Sequence, residues 1–160
     1  MLPPAFLPRA AARQVDAPAP PATQRTDEAI EPLYPVGVSE QDIELYATYA
    51  YSWRDAEGWR INECLGDFEL RLGGYSMRSR DAVVWFRRQM WRDRAFYDVE
   101  VFLWREAQIR HPAGTIETGD GLFARVRSFG KLVLNADGFT PSPDEHSELF
   151  AAARAVRAGG

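Results

Sequence analysis

The chain has 160 residues, 46% of them hydrophobic and 12% aromatic, with 23 acids against 19 bases. That is enough for one domain with a real core and too little for two comfortable ones. A net charge of −4 gives no long-range pull toward nucleic acid, and the single cysteine, Cys64, excludes an intrachain disulfide framework. No run of about 18 apolar residues is present, so no transmembrane helix is expected. The N-terminus lacks the basic-then-apolar signature of a signal peptide, so export requires an upstream start, prior processing or attachment to a larger protein.

Residues 1–32 are rich in Pro, Ala and polar side chains. With few large apolar groups they cannot offset the entropy of ordering, and the composition predicts a disordered arm. A β domain is expected over 33–140. Ser39, with an acid three residues on, fits a capping box, but the aromatic and β-branched weight after it favours a strand over 43–53. The stretch 55–58 has turn chemistry. Trp59, Ile61 and Glu63 then alternate onto one face of a second strand.

From Asp67 the alternation is clean, with Phe68, Leu70 and Leu72 on one side and Glu69 and Arg71 on the other. Gly73-Gly74 is a hairpin signal, since glycine reaches positive φ without a Cβ clash. Strands follow over 75–79 and 82–87, with a corner at Arg80-Asp81. The basic, aromatic segment RRQMWRDRAF (87–96) shows no clear period and reads as a loop or edge excursion. Further strands are expected over 97–104, 107–110, 115–118, 121–127 and 131–135, which makes nine or ten short ones. The alanine-rich segment 141–160 predicts a helix over an open end of the sheet, capped by Ser142 or Asp144 and stopped at Gly159.

The stretch GDFELRLGGYSMRSRDAVVWF (from Gly66) returns as REAQIRHPAGTIETGDGLFARV at a spacing of about 39 residues. Leu70 matches Ile109, Met77 matches Ile116, Ser79 matches Thr118, Asp81 matches Asp120 and Val84 matches Phe123. This is a duplicated β unit.

Little in the chain carries catalytic chemistry. His111 and His146 have no partner at metal-ligand spacing, Cys64 has no CxxC partner, and Gly119-Asp120-Gly121 is too short for a phosphate cradle. No metal, cofactor or catalytic residue is expected. Glu63, Asp67 and Glu69 are candidates for a barrel mouth, with carboxylate chemistry as a third functional reading. Arg78, Arg80, Arg87 and Arg88, with Arg92, Arg94, Trp85 and Trp91 nearby, form the one basic-aromatic cluster. It suits an anionic head group, or arginine stems packed on exposed aromatic rings.

The repeat, with Ser79-Arg80-Asp81-Ala82, Thr118-Gly119-Asp120-Gly121, Tyr97-Asp98 and Lys131 to Ala136, resembles the OstA-like (LptA-type) domain of lipopolysaccharide transport over about residues 60–138. The 87–96 segment and the helical C-terminus depart from that pattern. The resemblance implies stacked antiparallel hairpins in an open β-taco or jelly-roll-like domain. It also implies a periplasmic or envelope-associated location. Phe68, Leu70, Leu72, Met77, Ile109 and Ile116 would line an inner face for the acyl chains of an amphipathic lipid or lipopolysaccharide. Arg78, Arg80, Arg87 and Arg88 would hold the head group, and like β domains would join by edge-strand pairing. The alternative is an interaction module with a closed, dry core that assembles through its sheet edges.

Overall fold

The computed structural model describes residues 37–144 and 147–159, so the predicted N-terminal arm and His146 lie outside the described residues. The fold is all-β with one C-terminal helix, as expected. Its strands are β1 (Ile43–Arg54), β2 (Arg60–Leu72), β3 (Tyr75–Trp91), β4 (Arg94–Arg110), β5 (Ile116–Ser128) and β6 (Leu132–Thr140), followed by α1 (Glu148–Gly159). They form one mixed sheet in the order β5-β4-β3-β2-β1-β6. Strands β1 to β5 are an antiparallel meander, while β6 runs parallel to β1.

This connectivity forces the sheet to curl. Strands β5 and β6 stand at opposite ends of the order, yet only residues 129–131 join them. Three residues span roughly 10 Å at most, so the two ends must meet there. The seam is hydrogen-bonded. Ser39 N–H donates to the Arg127 carbonyl at 2.9 Å, and Phe129 N–H donates to the Ser39 carbonyl at 2.8 Å. The buried Ser128 hydroxyl sits between the Ser39 and Gln41 carbonyls and accepts from Gly130 N–H. A Cβ on Gly130 would lie 2.4 Å from the Gln41 carbonyl oxygen, which is why only glycine fits this crossing.

The sheet has six long strands where nine or ten short ones were expected, and the difference lies in a row of β-bulges. Gly66 and Asp67 on β2 oppose Arg80 alone on β3, and Arg105 and Glu106 on β4 oppose Asp120 alone on β5. A bulge bends a strand pair and resets its alternation without ending it, so the corner expected at Arg80-Asp81 and the break expected at 119–120 are both continuous strand. All four bulge residues have positive φ: 85° and 50° at Gly66 and Asp67, 71° and 52° at Arg105 and Glu106. The spacing between the two bulges is that of the sequence repeat. The duplication is therefore a geometric one in the bulges, while the aspartates are offset by one place: Asp120 faces its bulge as Arg80 does, and Asp81 pairs with Leu65 beside the first.

The two faces of the sheet carry separate clusters. On the inner face of the curl, buried Ile43, Leu45, Cys64, Leu70, Val84 and Val101 are joined by Leu122, Val126, Leu132 and Leu134 from the two end strands. On the outer face Trp59, Ile61, Val83, Trp85 and Phe102 pack beneath Leu149 and Ala153 of α1. The helix thus covers the outer face and not an open end. Its cap is Ser147, whose hydroxyl accepts from Phe150 N–H at 2.8 Å, in place of Ser142 or Asp144. Among the described residues no helix is long and apolar enough to cross a membrane.

Candidate functional site

The structure gathers five of the six predicted inner-face residues. Phe68, Leu70, Leu72, Met77 and Ile109 belong to one cluster, each at most 4% exposed. Adjacent strands bring Leu70 opposite Met77 and Met77 opposite Ile109. Ile116 is separate. Its partner in the repeat, Met77, is covered by neighbours on both sides, whereas Ile116 begins an edge strand and is 44% exposed. Side chains this deeply buried touch one another and form a packed core. A cavity of about 450 Å³ opens elsewhere, at the β1–β6 seam beside the bulge, among Tyr46, Thr48, Asp67, Leu134, Asn135 and Asp137. None of the six predicted residues lines it.

The four predicted head-group arginines do not converge. Arg78 and Arg80 are exposed near the bulge row, and Arg80 pairs with Glu106 at 3.0 Å. Arg87 and Arg88 lie about 30 Å further along the same strand. As neighbours in an extended strand those two point to opposite faces. Arg87 stacks over Trp59 at 4.1 Å and Arg88 lies over Tyr97 at 5.9 Å.

The three predicted carboxylates also scatter. Asp67 is exposed at the bulge, and Glu69 pairs with Arg71 at 3.0 Å. Glu63 is 1% exposed beneath the N-terminus of α1, where Ser147 donates a hydrogen bond to Oε2 and Oε1 has no hydrogen-bond partner. Burial pushes the Glu63 carboxyl up from its ordinary value. The Ser147 hydroxyl opposes the shift, while Asp144 and Asp81 add to it. Burial also pushes the Cys64 thiol up to about 12, with Glu63 adding to the effect. A thiol held protonated is neither nucleophile nor metal ligand. His111 forms a surface pair with Glu117 at 2.7 Å. Among the described residues no group of three His, Cys, Asp or Glu side chains could hold a metal ion.

What the sheet does present is its edges. The outer side of β5 from residues 116 to 126, and the outer side of β6, carry backbone N–H and C=O groups that no described strand pairs. Neither strand contains proline or lysine, the usual edge blockers. The charged residues there are Glu117, Asp120, Arg125, Arg127 and Asp137. Five large apolar side chains are exposed among the described residues, and three sit on these two strands: Ile116, Val133 and Phe139. The remaining two are Met90 and Val156. Alternation in the sequence places Ile116 and Val133 on strands, but which strands end the sheet depends on the β5–β6 crossing. That crossing leaves only Gly130 as a local signal.

Comparisons of the chain with family models, with curated proteins and with solved structures found no match.

Proposed function

We propose that this chain is a non-catalytic interaction module that assembles with like β domains by adding strands to its exposed edges, β5 and β6, around a closed, dry core. The observation that carries this reading is the pair of unblocked edge strands bearing Ile116, Val133 and Phe139. Edge addition supplies main-chain hydrogen bonds along the strand, and the exposed side chains add apolar contact. The burial of Phe68, Leu70, Leu72, Met77 and Ile109 supports a dry core over a lipid-lined trough. An OstA-like kinship and a place in the cell envelope belong to the same proposal, and the 39-residue duplication supports the kinship.

The test is sedimentation velocity over a wide concentration range, on the parent and on a Val133→Lys/Phe139→Lys variant. Both side chains are solvent-exposed, so the variant keeps the parental circular dichroism. The expected result is regular multiples for the parent and a shift to monomer for the variant. A parent that stays monomeric at its highest soluble concentration, or a variant that associates equally well, would overturn the proposal.

A further inference from the structure

We infer that the tip of the β3–β4 hairpin is a docking surface for anionic membrane lipids. The hairpin outruns its neighbours. Strand β2 stops where Arg60 meets Phe86, and β5 stops where Ser128 meets Tyr97. The pairs Gln89–Phe96, Met90–Ala95 and Trp91–Arg94 lie beyond both, closed by an Arg92-Asp93 turn in which Arg92 has a φ of 57°. The segment that showed no period in the sequence is thus continuous strand. A bare two-stranded ribbon is marginal in water, but this one is braced at its base. Phe96 is buried against Phe129, with ring centroids 6.1 Å apart. The Arg94 guanidinium lies 3.7 Å from the Phe129 ring and pairs with Glu40 at 3.0 Å.

The chemistry of the tip differs from that of the body. Residues 87–94 carry four arginines against one acid in a chain of net charge −4. Met90, at 65%, is the most exposed large apolar side chain among the described residues. It sits beside half-buried Trp91, and consecutive strand residues point to opposite faces. Each face of the ribbon therefore carries an apolar group near its end, with Arg88 behind it on β3 and Arg92 in the turn, its guanidinium 5.0 Å from the Trp91 ring, while Arg94 is held in its pair with Glu40.

An end-on wedge of this kind suits the interfacial zone of a bilayer. Tryptophan favours that depth, and arginines near the surface are drawn to anionic head groups. The acidic body is repelled by the same surface, which orients the hairpin toward it. A protein partner fits less well, because the overhang supplies far fewer than the roughly 20–30 residues a side of a standard interface.

The experiment is co-sedimentation of the full chain with vesicles of phosphatidylglycerol and phosphatidylcholine, against vesicles of phosphatidylcholine alone. Expected are binding to the anionic vesicles only, weakening with salt, and a loss of about fivefold in partitioning for Arg88→Ser. Met90→Asp should abolish binding while leaving circular dichroism unchanged. Trp91→Phe should retain binding but lose the part of the tryptophan quenching that brominated lipid chains cause. No binding to anionic vesicles overturns the inference, as does undiminished binding by Met90→Asp. Binding to a soluble polyanion that matches vesicle binding and ignores Met90→Asp would overturn it in favour of an acidic macromolecule.

Discussion

Gly66 and Arg105 occupy matching places in the two copies of the repeat, and they should respond to substitution with different outcomes. Gly66→Ala puts a side chain on a residue with φ of 85°, and the new Cβ would stand 2.7 Å from Thr48 Oγ1 and 2.9 Å from Thr48 Cβ. The left-handed backbone costs roughly 1–2 kcal/mol for an L-residue, and displacing Thr48 costs about 1 kcal/mol or more as overpacking. The expected loss is ~2–3 kcal/mol, on the order of 10 °C in Tm. Arg105→Gly relieves a positive φ of 71° and gives up the stack of its guanidinium 4.1 Å from the Trp104 ring. Such a stack contributes about 0.5–1 kcal/mol, so this variant should lie within ~1 kcal/mol of the parent. Equilibrium urea unfolding followed by tryptophan fluorescence measures both. A Thr48→Gly background should recover the steric part of the Gly66→Ala loss, giving a coupling of about 1 kcal/mol. Equal losses at the two positions, or no coupling to Thr48, would refute the reasoning.

Two further predictions concern buried titratable groups. The Glu63 carboxyl titrates above its unfolded value, so the folded state holds the proton more tightly. Its contribution to stability is full below the unfolded value of about pH 4.3 and is lost as pH rises through the raised one. Glu63→Gln should flatten that loss, and the Tm difference from the parent should grow as pH rises above the unfolded value; parallel Tm curves would contradict it. Cys64, fully buried and protonated at neutral pH, should resist a thiol reagent in native buffer and react at the rate of opening in denaturant. Fast stoichiometric labelling of the folded chain would show the burial to be wrong.

Local alternation made most of the fold legible. The pattern around Phe68, Leu70 and Leu72 placed a strand and its buried side, and Gly73-Gly74 placed its hairpin. The 39-residue duplication was readable, although its physical content, a bulge with two positive-φ residues in each copy, was not. Arginine and glutamate at the second bulge carry no glycine signature. The tip of the β3–β4 hairpin was misread because Arg92-Asp93 is not a preferred two-residue turn and Met90 and Trp91 hide the alternation. The arginines could not be placed from sequence at all, because β3 is a single long strand that carries Arg78 and Arg88 far apart. The contact between Glu63 and Ser147 joins residues 84 apart in the chain, and nothing local to either announces it.

Amide hydrogen exchange tests most directly whether the strand edges recruit other strands. Exchange should be measured at residues 116–126 and across β6 in a dilute sample and in a concentrated one. Outward-facing amides there should exchange quickly when dilute and become protected as concentration rises, while the inner strands β2 to β4 stay unchanged. Protection that is independent of concentration, or that grows on the α1 face and not at the edges, would contradict it.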